Sequence, residues 1–360
     1  MVCAQLLATK RPLFDSFQSA KIGNTMTQSS EAIDVVYTWV DDSFPGYLEE
    51  LNTYVADPRD TNPNRTRDNL DVLRFSMRSI WQNIPQIRRI YLVTCRPQVP
   101  SWLNSEHPKI HVVHHDEIMS PDILPTYNSF AIVSHLHKIP GLSEKFIYFE
   151  DDMLAMSPNL MDALFTPDGR PWVHLDKRVV KTLDTLDPVK SSPWNLALAN
   201  TDAALSEPFG QRARQHIIHG PHVFDLEVCQ EMCRTFAPQF DTTRHSRFRG
   251  KDNIAPEFLA CHFAAETGAA VVSNMALSRQ VQGYVSIENF TLWTWFQLAR
   301  LNGRHPLSVT LNDSFGASPN PRVESLMRAQ LQRWFSTPAP WEQTLKRSMI
   351  SQHAFSGCNL

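Results

Sequence analysis

Apolar residues along this chain fall into two rhythms. Short unbroken runs of β-branched and aromatic residues recur in the first half: Ile33 to Val40 (IDVVYTWV), Ile87 to Thr94 (IRRIYLVT), Ile110 to His115 (IHVVHH) and Phe146 to Phe149 (FIYF). Runs of that length read as strands, and continuous rather than alternating hydrophobicity marks a parallel sheet covered on both faces. Between them the spacing turns helical. Leu73, Met77, Ile80, Trp81 and Ile84 share one face of a helix that Asp68 would cap and Pro85 would close. Ile132, Leu136 and Ile139 do the same over Tyr127 to Ile139. Strands alternating with helices predict an α/β fold with a mainly parallel sheet.

The second half reads differently. From about residue 155 to 220 the periodicity is weak, and Pro and Trp interrupt it. Residues 222–236 and 254–266 then read as helices. Residues 285–301 read as a helix or strand pair that holds Phe290, Trp293, Trp295 and Phe296 in a core, and residues 321–335 as a helix begun by Pro321. The expected organisation is a tail over 1–30, an α/β domain over 31–320 with helical additions, and a helical extension over 321–360.

Composition narrows the classes. Of 360 residues, 42% are hydrophobic and 20% charged, which supports a sizeable core and argues against global disorder. A net charge of -3 gives no electrostatic case for nucleic acid. The start lacks the apolar run and cleavage site of a signal peptide, and no stretch is long and apolar enough for a transmembrane helix. The expected location is therefore cytoplasmic. Six scattered cysteines do not suggest a disulfide framework in a chain of this size. Cys229 and Cys233 share a helix face, so either they are reduced core thiols or they form a zinc site with His219 and His222.

The densest chemistry follows the strand at Phe146. Glu150, Asp151 and Asp152 stand in succession at its carboxyl end, where open α/β sheets place ligands. Adjacent carboxylates repel unless a cation joins them, and hard oxygen donors suit Mg²⁺ or Mn²⁺. An acidic loop is the plainer alternative. Asp41 and Asp42 end the first strand and either hold a nucleotide or make a turn. Arg67-Asp68-Asn69 opens a helix, where free N–H groups favour an anion, and Arg74 and Arg78 lie four apart on it. His219-Gly220-Pro221-His222 could supply one histidine as a proton acceptor and one as its support. Arg244 to Asp252 (RHSRFRGKD) is either a solvated basic loop or a phosphate-binding one. Asn312-Asp313 after Leu307 to Leu311 is a weak signal on its own.

These pieces fall in one order that resembles the Stealth family of sugar-1-phosphate transferases. That family includes bacterial capsule polysaccharide phosphotransferases and the catalytic subunit of the animal N-acetylglucosamine-1-phosphotransferase. The resemblance runs through blocks at 33–41 (IDVVYTWVD), 67–153 (from RDNLDVLRFSMRSIWQNIPQIRRIYLVT to FIYFEDDM), 219–253 (HGPHVFD through FRGKDN) and 308–313 (SVTLND). It implies a nucleotide-sugar fold like that of the GT-A glycosyltransferases, with helical additions, and makes 31–320 the catalytic domain. It also implies catalytic roles for His219, Arg249, Asp152 and Asp313, and Mg²⁺ or Mn²⁺ on Asp151, Asp152 and Asp313. Substrate contacts would come from Asp41, Arg67, Asn69, Arg74, Asn128, Ser129 and Asp252. Departures are Asp42 and Phe44 in place of the usual Gly and later Asp, Glu150 for Asn, Asn253 for an acid, and Ser314 after Asp313.

The implied reaction moves sugar 1-phosphate from a nucleotide diphosphate-sugar, a UDP-hexose by expectation, to a hydroxyl of an oligosaccharide or polysaccharide. A nucleoside monophosphate leaves. Capsule or exopolysaccharide synthesis is the implied setting, with peripheral association at the inner face of the membrane. The alternatives are a GT-A-type glycosyltransferase that releases nucleoside diphosphate and a non-catalytic carbohydrate- or nucleotide-binding protein.

Overall fold

The structure is a computed structural model, and it describes residues 32–55, 70–313, 315 and 318–343. Its centre is a five-stranded sheet in the order β3-β2-β1-β4-β9. The strands are β1 (Asp34–Thr38), β2 (Ile90–Thr94), β3 (Ile110–His114), β4 (Lys145–Glu150) and, later in the chain, β9 (His222–Asp225). The first four are mutually parallel, and β9 runs antiparallel to β4. Four of the five β1 residues and all of β2 are buried, which is what their unbroken apolar runs require. The parallel order brings the carboxyl ends of β1 and β4 together, with Thr38 opposite Glu150.

A second sheet, β11-β12-β5, is built from β5 (Met153–Ala155), β11 (Gln282–Ile287) and β12 (Ser308–Asp313). Here β11 and β12 are parallel, and β12 is antiparallel to β5. Only Asp151 and Asp152 separate β4 from β5, so the acidic run is the joint between the two sheets. Two small ladders complete the strands. One is β6 (Trp172–Val173) with β10 (Val271–Val272); the other is β7 (Leu175–Val179) with β8 (Gln215–Ile217).

The helices are α1 (Tyr47–Tyr54), α2 (Val72–Asn83), α3 (His115–Ile118), α4 (Ser129–Val133), α5 (Leu160–Leu164), α6 (Pro193–Phe209), α7 (Leu226–Thr235), α8 (Ala237–His245), α9 (Pro256–Glu266), α10 (Met275–Val281), α11 (Thr291–Arg304) and α12 (Pro321–Trp334). Helix α2 buries Leu73, Met77 and Ile80 and is fastened to β5 by polar side chains. Ser76 donates to the Met153 carbonyl, the Ala155 N–H donates to Ser79 at 2.8 Å, and Asn83 donates to the Ala155 carbonyl at 2.7 Å. The strand that follows the acids is thus pinned from both sides.

Four expectations need correction. The first long helix begins at Val72, with Asp71 at its cap in the left-handed region (φ 55°), while Asp68 lies outside the described residues. The segment Tyr127 to Ile139 is not one helix. Only Ser129–Val133 is α-helical, because Ser134 donates to the Ala131 carbonyl and the His135 ring bonds the same carbonyl at 2.7 Å, in competition with the helix ladder. Residues 222–225 form a strand, and Asp225 caps the helix by accepting from the N–H groups of Glu227 and Val228. Finally, Phe290, Trp293, Trp295 and Phe296 are not in a core. Helix α11 faces its sheet with Thr294, Leu298 and Leu301, and the aromatic residues point outward.

The end of the described chain is drawn into the same body. Glu342 accepts from Arg78 at 2.6 and 2.8 Å and from Arg74 at 2.5 Å, and the neighbouring backbone bonds to Trp102 and Asn104. Among the described residues no helix is long and apolar enough to cross a membrane.

Candidate active site

The joint between β4 and β5 sets Glu150 and Asp152 at the strand ends, and the turn before β9 brings His219 to them. The histidine Nε2 lies 3.2 Å from a Glu150 carboxylate oxygen. Its backbone is held from the second sheet, where Thr310 donates to the His219 carbonyl at 2.8 Å, and the Leu311 N–H donates to the Asp152 carbonyl at 2.9 Å. His222 closes the same turn through its Nε2 and the Ile218 carbonyl at 3.2 Å, which makes it the supporting member of the pair.

Glu150, Asp152 and His219 each offer a ligand atom, all within 4.8 Å of one another. One oxygen of Asp152, Oδ1, is buried and has no hydrogen-bond partner. A buried carboxylate oxygen without a donor is costly, and a cation satisfies it. Two carboxylates and an imidazole therefore fit a divalent metal. Asp152 is common to this group and to the set expected from sequence. Asp313 ends β12, close enough for its charge to raise the Asp152 carboxyl. Asp151 lies in the same joint, next to Asp152 in the chain.

The electrostatics are strongly coupled. Burial pushes the Asp152 carboxyl up, Glu150 and Asp313 add repulsion, and it reaches about 7. Burial opposes charge on His219, but Glu150, with its hydrogen bond, and then Asp152 and Glu257 outweigh it and lift the ring to about 9. Burial also opposes charge on Glu150, yet His219 and Arg249 hold it below the ordinary carboxylate range. The pairing thus favours a proton on His219 and a charge on Glu150.

Arg249 reaches the site from a clamped loop. Asn128 is fully buried and donates to the carbonyls of Thr243 and Ser246 and to Asn253 Oδ1 at 2.9 Å. Asn253 in turn accepts from the Gly250 N–H at 2.8 Å. Ser129, next to Asn128, accepts from two Arg249 nitrogens, and the guanidinium lies 4.5 Å over the Phe130 ring. Asn128 therefore builds the loop rather than meeting a ligand, and Ser129 orients Arg249.

The remaining expected residues divide. Asp41 lies beyond the carboxyl end of β1 with its backbone fixed by Gln98, which accepts at 2.7 Å and donates at 2.9 Å. Asp252 is exposed. Arg74 is corrected to a structural role, since its guanidinium binds Glu342 and stacks 5.9 Å over Trp102. Arg67 and Asn69 lie outside the described residues. Cys229 is buried on α7, and Cys233 accepts from Arg244, while His219 and His222 are engaged as described.

Two groups escaped the sequence reading. Glu257, at the start of α9, is buried with Oε2 unpartnered, and burial and Glu150 raise it to about 7. Only its place inside the histidine-to-α9 stretch could have drawn notice. Tyr284 on β11 sets its ring 5.9 Å from the His219 ring. A cavity of about 150 Å³ is lined by Ile218, next to His219 in the chain, and by Asp176, Lys177, Arg279 and Gln282 among others.

Fold and site together define an α/β protein in which Glu150, Asp152 and His219, a candidate metal-binding group, gather at the carboxyl end of a mainly parallel sheet, with the Arg249 charge near them. Residues 65–173 match Stealth protein conserved region 2, and residues 218–266 match conserved region 3. The chain belongs to the Stealth family. It is 37% identical over 246 residues to an exopolysaccharide phosphotransferase of Streptomyces coelicolor, covering 68% of this chain and 42% of that one. It is 32% identical over 318 residues to the exopolysaccharide phosphotransferase CpsY of Mycobacterium tuberculosis, covering 86% and 58%. The chain thus spans about half the length of these curated relatives. Among solved structures, it is similar to the galactosyltransferase LgtC at a TM-score of 0.40 and 11% identity, over 86% of this chain and 98% of that one.

Proposed function

We propose that this protein transfers sugar 1-phosphate from a nucleotide diphosphate-sugar, of UDP-hexose type, to a saccharide hydroxyl; its relatives named exopolysaccharide phosphotransferase support the phosphotransferase part of that reading. The observation that carries the reading is the convergence of Glu150, Asp152 and His219 with Arg249, which Ser129 holds toward the same strand ends. Phosphoryl transfer needs positioning and charge neutralisation more than covalent chemistry, and this group supplies both. Mg²⁺ or Mn²⁺, held by Asp152 and Glu150 and backed by Asp151 and Asp313, would neutralise diphosphate charge and leave the His219 ring to the acceptor hydroxyl.

Arg249 stabilises the oxygens of the transferred phosphoryl group. The His219–Glu150 pair meets the attacking hydroxyl. As a neutral ring His219 takes the hydroxyl proton, and Glu150 holds the imidazolium that forms. The cavity lined by Ile218 and Gln282 receives the acceptor sugar. Attack at phosphorus leaves the sugar's anomeric oxygen in place, so its configuration is retained.

The test is a screen of nucleotide-sugars with purified protein and divalent cation, read by ³¹P NMR and nucleotide analysis. Phosphodiester formation with nucleoside monophosphate release is the expected result. A phosphorus-free glycoside with nucleoside diphosphate release makes the protein a glycosyltransferase. Binding without any turnover makes it a carbohydrate- or nucleotide-binding protein.

A further inference from the structure

The outward face of α11 has no cover among the described residues. Phe290 at its cap and Leu292, Trp293, Trp295 and Phe296 in its first turns are each between 42% and 70% exposed. Trp293 and Phe296 stack on each other at 5.7 Å. Ala299, Arg300, Gly303 and Arg304 continue the exposed face, while Thr294, Leu298 and Leu301 fill the opposite one. Arg304 donates to the Arg279 carbonyl at 3.1 Å, which brings a further arginine alongside. From Asn289 through Asn312 the sequence holds no Asp or Glu.

A contiguous apolar patch of this kind costs solubility and marks a contact surface. We propose that this face is a membrane-binding surface, on which α11 lies along an anionic lipid bilayer. Its aromatic turns enter the boundary between headgroups and acyl chains, and Arg300 and Arg304 meet lipid phosphates. Charge selects this occupant. A two-fold contact between copies would bury Arg300 and Arg304 with no carboxylate on the α11 face to pair them. Anionic lipid supplies the missing countercharge.

Position gives the surface a purpose. Strand β11 is parallel to β12, Ile287 is paired with Asp313, and α11 starts just beyond Ile287. The aromatic turns therefore lie at the end of the second sheet that carries the acids, and docking sets the crevice against the bilayer. The inference goes beyond the proposed reaction and does not depend on it.

The experiment is vesicle flotation of the full chain with phosphatidylcholine alone and with phosphatidylcholine containing phosphatidylglycerol, alongside tryptophan emission. The full chain should float with the anionic vesicles, and its emission should shift to the blue. The Trp295→Ser/Phe296→Ser double variant should lose about tenfold or more of that partition. Arg300→Gln/Arg304→Gln should lose the preference for anionic vesicles. Leu292→Gln, one exposed position, should weaken binding and serves if the double variant misfolds. The proposal is overturned if the full chain floats with neither vesicle or if these variants float unchanged. It is equally overturned if sedimentation shows a concentration-dependent dimer that the double variant abolishes, which would assign the face to a second copy.

Discussion

Asp152 combines a buried, donorless oxygen with two neighbouring carboxylates, so its charge is held against electrostatic cost. Asp152→Asn removes that charge with little change of shape. Turnover should fall about a hundredfold or more, while the melting temperature holds or rises because the repulsion is relieved. A variant that loses its circular dichroism instead makes the acid structural. Ser129 acts through Arg249, so Ser129→Ala leaves the guanidinium charged but loosely aimed. We expect kcat/KM to drop about tenfold with the donor KM nearly unchanged, as for one lost hydrogen bond to a charged group. An unaltered rate would show that the Phe130 ring alone holds Arg249. Asp152 was legible in the sequence because acids rarely follow a buried strand in succession. Glu257 was not. A single glutamate at a helix start looks like any first-turn acid that favours the helix dipole, and only the fold reveals that this one faces inward.

Elements were legible where one signal dominated. The parallel strands followed from apolar runs with no polar alternation, and their carboxyl ends from chain order. Helix α11 was ambiguous because apolar residues occupy both of its faces, so periodicity could not say which one a sheet would cover. The short α4 was hidden in local competition between side chains and backbone carbonyls. Burial of histidines within these elements leaves a mark on pH behaviour. His115, His174, His222 and His262 are buried, and burial lowers each to about 4, while His135 falls to about 3. An unfolded chain protonates these rings near pH 6.5, so between about pH 6.5 and 4 it binds more protons than the folded one. Stability must therefore rise with pH across that window. Between pH 7 and pH 5 the melting temperature should fall by about 5 °C or more. A flat profile there would mean the rings are already charged in the fold.

At the scale of the molecule, the sequence suggested a helical extension over 321–360; α12 occupies Pro321–Trp334, and residues 339–343, which carried no sequence signal, strap across the domain. No periodicity announces a single carboxylate that answers two arginines from the first helix of the core. Glu342 is held below the ordinary carboxylate range: burial opposes its charge, and Arg78, the Ala339 N–H and Arg74 prevail. Its contribution is thus present above that range and lost as pH falls through its lowered value. Glu342→Ala leaves Arg78 buried without its partner and should cost about 3 kcal/mol in denaturant unfolding. A loss within experimental error would show that the strap rests on Trp341 packing instead.

The acids occupy the joint between two sheets, and His219 and Asp152 are each tied to β12. Anything bound there, whether cation or diphosphate, adds a bridge to the apolar packing and hydrogen bonds that already join the two sheets. Its binding free energy adds to the cohesion of the pair. Amide hydrogens of β5 and β12 should then exchange more slowly when nucleotide-sugar and a divalent cation are present together, with little change in β2 and β3. The crevice is in that sense a mechanical fastener, and slack between the sheets will be felt as weak substrate affinity.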